Sequence, residues 1–240
     1  MVRLAAGHRP GAVSGDLPHP LDNLAWLALT GPHAALAEGA ELARRYPADI
    51  APFAALATPT SLDGWEQLGG VVGSRAVAVL LGPPVEPPPA WTLVGGGVGV
   101  QMVAPPADPA WPVGGERLTH EDVPEMLALV AAAEPGPFGP RTIELGTYLG
   151  IRQDGRLVAM AGERFRGGGY TEISAVCTDA ASRGRGLATQ LVLALVTSIA
   201  ARGETACLHA VATNVTAIRL YERLGFTVRR EVEVALLRAP

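Results

Sequence analysis

Apolar residues recur at every fourth position through Leu187, Leu191, Leu195 and Ile199, and Val192 and Val196 widen the same stripe. That spacing places them on one face of a helix over residues 187–202. Around it the pattern changes to short apolar runs. Residues 170–178 (YTEISAVCT) and 206–212 read as strands, and residues 143–151 and 156–164 as two more around a turn at Asp154-Gly155. The three glycines of 165–169 read as a tight connection. Thr119 opens a helix whose stripe is Val123, Met126, Leu127 and Val130, with Asp122 at the capping-box position. Glu134-Pro135-Gly136-Pro137 ends it. Asn214 caps a helix running through Leu224, which Gly225 closes in the left-handed region. Residues 227–237 form a final strand or two short ones.

The first half is harder to read. Residues 21–30 look helical until Gly31-Pro32, and residues 33–46 look like a second helix ending at Tyr46-Pro47. Residues 50–57 and 61–68 are short and mixed. Residues 75–81 read as a strand, and residues 91–103 as a strand interrupted by glycines. The first twenty residues read as loose, and the four prolines of 104–115 as a linker. Trp26, Tyr46, Phe53, Trp65, Trp91 and Trp111 are core candidates. A division follows, with an accessory part over 1–116 and a second domain over 117–240.

Charge sharpens that division. Residues 1–116 hold five arginines against ten acids, and residues 117–240 fourteen against thirteen. An anionic ligand is therefore expected in the second half. The whole chain of 240 residues has a formal charge of −4, which excludes a general nucleic-acid binder. An apolar fraction of 48% excludes a disordered chain, and 29 glycines and 21 prolines without a three-residue period exclude a collagen-like fibre. Cys177 and Cys207 lie in apolar strands and read as buried free thiols. No secretory signal or membrane-spanning run is evident, so a cytoplasmic location is expected. His8, His19, His33, His120 and His209 lack metal-ligand spacing, and no metal is expected.

The candidate chemistry lies between the strand 170–178 and the helix from Leu187. The run Ser182-Arg183-Gly184-Arg185-Gly186-Leu187-Ala188 lets backbone N–H groups converge on one point. The following helix adds its unpaired N-terminal donors and dipole, and arginine suits phosphate oxygens. Such a turn is a pyrophosphate cradle, although the spacing alone also fits a simple tight turn.

In context the run resembles motif A of the GCN5-related N-acetyltransferase (GNAT) superfamily, Arg/Gln-x-x-Gly-x-Gly/Ala, on Arg183, Gly186 and Ala188. The later Leu220-Tyr221-Glu222-Arg223-Leu224-Gly225-Phe226 resembles the family's Leu-Tyr-Glu-x-Leu-Gly-Phe ending. The likeness covers about 117–240 and is greatest to the FR47-like branch. It implies an α/β (α+β) fold, a mixed sheet splayed between strands 170–178 and 206–212 and flanked by helices. Residues 1–116 are then a degenerate acetyltransferase half or an unrelated helper.

The resemblance also implies an acetyl-CoA-dependent N-acetyltransferase acting by direct attack of an amine in a ternary complex. A non-catalytic acyl-CoA-binding sensor or interaction protein is the alternative. The backbone of Val176, Cys177 and Thr178 would pair with the pantetheine arm. Arg183, Gly184, Arg185, Gly186, Leu187, Ala188 and the N–H of Thr189 would hold the pyrophosphate, while Asn214 and Ala217 approach the thioester. Tyr221 is the expected acid for the departing thiolate. Glu172 is the first choice for a base, direct or through water, because burial among Ile173, Ala175 and Val176 would raise its pKa. Glu163 is the alternative base, and His209 is read as a hydrogen-bonded structural histidine. The acceptor is a small-molecule or protein amine, with no nucleic acid or membrane involved, and the protein is a monomer or homodimer. Residues 1–116 are expected to form one wall of the acceptor pocket.

Overall fold

In the computed structural model, residues 19–108, 110, 111 and 114–240 are described. The expected loose segment at the N-terminus lies largely outside them. In chain order the elements are α1 (Leu24–Thr30), β1 (Glu38–Gly39), β2 (Ala43–Arg45), β3 (Ala54–Leu56), α2 (Leu62–Val72), β4 (Val77–Gly82), β5 (Thr92–Val103) and β6 (Glu116–Arg117). They continue with α3 (Val123–Ala133), β7 (Tyr148–Gln153), β8 (Arg156–Gly167), β9 (Tyr170–Thr178), α4 (Leu187–Ala201), β10 (Thr205–Val211), α5 (Val215–Arg223) and β11 (Thr227–Arg238). No helix among the described residues is long and apolar enough to cross a membrane.

The period-four stripe does form a helix. In α4, Leu191, Leu195 and Ile199 are fully buried against Ala206 and Leu208 of β10. Each such side chain contributes about 1.5–3 kcal/mol by leaving water. Strand alternation sends the intervening Cys207 to the opposite face, into the core of Leu24, Leu29, Tyr46, Phe53 and Phe165. The second cysteine, Cys177, is buried beside α3 with Met126, Leu129 and Tyr148. The sheet is thus sandwiched between α4 and α5 on one side and α1 and α3 on the other.

Eight strands make that sheet, in the order β4-β11-β5-β10-β9-β8-β7-β6. Only β9 and β10 run parallel, and all its other named ladders are antiparallel. The chain does not part at residue 116. β5, from the first half, lies between β10 and β11, and β4 covers the other edge of β11. The proline-rich stretch is not a free tether either. Ala104 N–H bonds Ala206 C=O at 2.9 Å, Pro105 packs on Gly225, and Trp111 packs against the α4 core.

Several expectations change in detail. Residues 33–46 are not one helix but a 3₁₀ turn (Ala34–Leu36) followed by β1 and β2. Gly39 has φ +131°, and a Cβ there would come within 2.3 Å of Ala43 C=O, so the hairpin needs glycine. Residues 61–68 belong to α2, capped by Ser61 Oγ accepting from Gly64 N–H at 3.2 Å. Residues 142–145 form a 3₁₀ turn before β7. Thr119 and Asp122 do make the capping box, around a 3₁₀ turn that precedes α3. The turn after β8 is shorter than expected, because β8 continues to Gly167 and buries Phe165. The last segment is one strand, with a bulge between Val228 and Arg230.

The crossing of β5 has a direct test. A fragment of residues 117–240 leaves β11 without either neighbour and exposes the edge of β10. It is expected to aggregate or lose near-UV circular dichroism, and to regain a cooperative thermal transition when co-expressed with residues 1–116. A monomeric 117–240 fragment with a cooperative transition of its own would show that the second half folds alone.

Candidate active site

β9 and β10 pair only at Tyr170–Ile173 with Thr205–Leu208. Beyond these positions they separate. On its other edge β9 carries a bulge, with Ala175 at φ +52° where Ser174 pairs with Gly162 and Cys177 with Met160. The parting leaves the β10-facing edge of Ser174–Thr178 without a partner strand among the described residues. It opens a groove of about 1420 Å³ lined by Val176, Thr178, Arg183, His209, Asn214 and Tyr221. Phe53, Val79, Leu81 and Gly96–Gly99 of the first half line the same groove.

At the mouth of this groove the glycine-rich turn leads into α4. Asp179 Oδ2 accepts from Ala181 N–H at 3.1 Å, and Arg183 Nε donates to Thr178 C=O at 3.2 Å. Gly184 and Gly186 have φ of +78° and +77°, a region costly for any side chain, and a Cβ on either would meet only open space. Gly186 precedes α4 without any side-chain cap, and the first helical bond runs from Gln190 N–H to Gly186 C=O at 3.0 Å. The N–H groups of Leu187, Ala188 and Thr189 therefore stand at a positive helix end beside exposed Arg183 and Arg185. That donor set suits a phosphate-bearing ligand.

Asn214 caps α5, its Oδ1 accepting from Ala217 N–H at 3.1 Å. Seven residues on, Tyr221 is mostly buried against Phe226, and burial pushes its phenol up to about 12. The hydroxyl has no hydrogen-bond partner among the described residues, and no buried side-chain polar atom there is orphaned, so it opens onto the groove. Cys177, by contrast, points into the α3 core, and burial drives its thiol up to about 12. It is no nucleophile.

Glu172 does not behave as expected. It is fully buried, yet Arg164 grips it through Nη2–Oε1 at 2.5 Å and Nε–Oε2 at 2.8 Å. Burial by itself would raise its pKa. The charge of Arg164 and the contact with His209 outweigh burial and hold the carboxyl at about 2. Such a carboxylate is a weak base near neutrality, and Glu172 does not line the groove. Glu163 is bound by Arg202 Nη2 at 2.9 Å and does not line the groove. His209 does line it, but both ring nitrogens are engaged. Nδ1 lies 2.6 Å from Glu172 Oε1 and Nε2 lies 3.0 Å from Gln101 Nε2. Gln101 also donates to Leu21 C=O and accepts from Arg229, so its NH₂ faces His209. The network assigns His209 the Nδ1–H tautomer.

Arg164 was not singled out by the sequence pattern. Its guanidinium lies 4.5 Å from the Phe53 ring centroid and 4.8 Å from that of Phe165. The available signal was chemical: a carboxylate in the apolar run around Glu172 needs a cationic partner on a neighbouring strand.

Comparison with known proteins bears on the family and the fold. A family model described as FR47-like protein matches residues 148–235. A structure described as an acetyltransferase of the GNAT family, from Novosphingobium aromaticivorans, is 40% identical. The match covers 92% of this chain and 99% of that one, with a TM-score of 0.83. A GCN5-related N-acetyltransferase from Kribbella flavida shares the fold at 20% identity and a TM-score of 0.60, over 93% and 97% of the two chains. No curated protein matches. The chain belongs to the GNAT acetyltransferase family. Within it, the matching model is that of the FR47-like branch.

The Arg164–Glu172 pair predicts an acid transition. The pKa of Glu172 falls from an ordinary 4.5 to about 2 on folding, so its contribution is complete above pH ~4.5 and is lost as the pH falls towards 2. The difference amounts to about 3 kcal/mol. Glu172→Gln leaves Arg164 buried without its counterion and is expected to cost about 3–5 kcal/mol in urea unfolding at pH 7. It should also flatten the loss of stability between pH 4.5 and 2. An unchanged midpoint would rule out the buried pair.

Proposed function

We propose that the protein transfers the acetyl group of acetyl-CoA to an amine by direct attack in a ternary complex. The observation that carries this reading is the uncapped N-terminus of α4 behind two left-handed glycines, set at the mouth of the parted strands. Leu187, Ala188 and Thr189 would donate N–H groups to the pyrophosphate, assisted by Arg183 and Arg185 and by the backbone turn at Gly184 and Gly186. The free edge of Val176, Cys177 and Thr178 would pair with the amide groups of the pantetheine arm. Asn214 and Ala217 line the groove beyond.

Acetyl-CoA supplies an activated acyl group, and the remaining tasks fall to the protein. The amine nitrogen attacks the acetyl carbonyl carbon. A C–N bond forms, the C–S bond breaks, and the electron pair leaves on sulfur. Tyr221, with its proton held to about pH 12, is the donor facing the groove. Complete proton transfer to a thiolate whose acid has a pKa near ~8.5 would be uphill by about 5 kcal/mol. Tyr221 therefore acts as a hydrogen-bond donor to the developing charge. Glu172 and Glu163 are bound by arginines, and both nitrogens of His209 are engaged. The proton of the amine accordingly passes to water in the groove.

Two variants test the assignment. Gly186→Trp fills the cradle and forces a side chain into the left-handed region. It should abolish acetyl-CoA binding in calorimetry while the far-UV spectrum persists, and unchanged affinity would remove the proposed site. Tyr221→Phe should lower kcat by about ten- to a hundredfold in a thiol-release assay, with little change in the KM for acetyl-CoA. Equal kcat in the two proteins would exclude the phenol.

A further inference from the structure

β5 has two different edges. Along one side it pairs with β11 over nearly its whole length. Along the other, the ladder with β10 covers only Gly99–Val103, and Val98 C=O accepts a last bond from Ala212 N–H at 3.0 Å. From Thr92 to Gly97 that second edge has no partner strand among the described residues, and all of these residues are exposed. Open edges are normally protected by charge, proline or a covering segment. β5 contains no charged residue and no proline. Leu93, Val98 and Val211 beside it are more than half exposed.

The bare edge also leads somewhere. Gly96, Gly97 and Val98 form part of the wall of the groove that holds Arg164 and His209. Two of the three lack side chains, so another backbone can approach closely. At the inner end, Arg164 commits Nε and Nη2 to Glu172, while Nη1 has no protein partner among the described residues. A guanidinium N–H in the groove suits a carbonyl oxygen beside the reacting amine.

We propose that the acceptor is an extended polypeptide with a free α-amino end, bound as an added strand along the open edge of β5. This rests on the acetyl-transfer reading and deepens it. The peptide backbone would pair with Thr92–Gly97, and its apolar side chains would meet Leu93 and Val98. Its first carbonyl would accept from Arg164 Nη1. The terminal nitrogen forms the new C–N bond as the C–S bond of acetyl-CoA breaks. The electrons leave on sulfur, and the proton of the amine goes to water.

The experiment supplies the full-length protein with acetyl-CoA and a heptapeptide library bearing free α-amino groups, and reads N-terminal acetylation by mass spectrometry. The best sequence is then remade with one backbone N-methyl group at each position in turn. Strand addition predicts a period-two response, with methylation at alternate residues lowering kcat/KM about tenfold and at the others having little effect. Leu93→Lys, at an exposed position of the same edge outside the groove lining, should lower peptide turnover while acetyl-CoA affinity in calorimetry stays unchanged. A library left unmodified while simple amines are acetylated would overturn the polypeptide acceptor alone. A response to N-methylation without period two would overturn the strand pairing. A stable dimer that dissociates in Leu93→Lys, with the library unmodified, would make the edge a self-pairing surface instead. Failure of the wild type to bind acetyl-CoA would bring down the underlying reading as well.

Discussion

Everything in the site follows from two parallel strands that stop pairing after four residues. β9 and β10 share a ladder from Tyr170 to Ile173 and then diverge. A sheet of this size normally satisfies its backbone groups internally, and a gap within it is costly unless something else binds there. The bulge at Ala175 turns the far end of β9, and α4 begins directly above the gap. One irregularity thus exposes an unpaired strand edge and aims a helix N-terminus at the same space. The anion-binding turn would be an ordinary loop if the sheet beneath it were closed.

The base of the gap is held by charge. Arg164 packs against two phenyl rings and grips Glu172, which in turn orients His209. From His209 the chain of polar contacts continues through Gln101 to Arg229 and Asp22. It ties a residue near the start of the described chain to the floor of the groove. Replacing such a network by apolar groups of equal volume is often no loss to stability. Its value here is positional, since it fixes which atoms of Arg164 and His209 face the groove.

The sequence made one half of this legible and the other not. The helix α4, the glycines of the turn, the Asn214 cap and the flanking strands are local patterns, each specified by neighbours within a few residues. The turn also carried its own chemistry in Arg183, Gly184 and Gly186. The position of β5 was invisible because its glycine-broken pattern does not say which strands accept it. Residues 33–46 misled for a related reason, since the alanines suit a helix while Gly39 and the burial of Tyr46 favour a hairpin. The apolar neighbours of Glu172 allow for burial, but its pKa depends on Arg164, eight residues away in sequence and one strand away in space. Burial raises a carboxyl pKa only when no cation accompanies it.

The placement of β5 also sets an order of events during synthesis. Val103 emerges from the ribosome 135 residues before Arg238, the end of the strand that must flank it. At about 5–20 residues per second this is a wait of roughly 7–27 s. For the first 108 residues of that wait, until Val211 completes β10, an uncharged, valine- and glycine-rich segment has neither of its final neighbours. The clusters that hold Tyr46 and Phe53, and Trp65, are themselves completed by late residues such as Phe165 and Leu237, so little folded structure is there to keep that segment from pairing with another molecule. The lifetime of a half-made chain becomes a constraint on how quickly this protein can be produced, independent of how stable it is once finished.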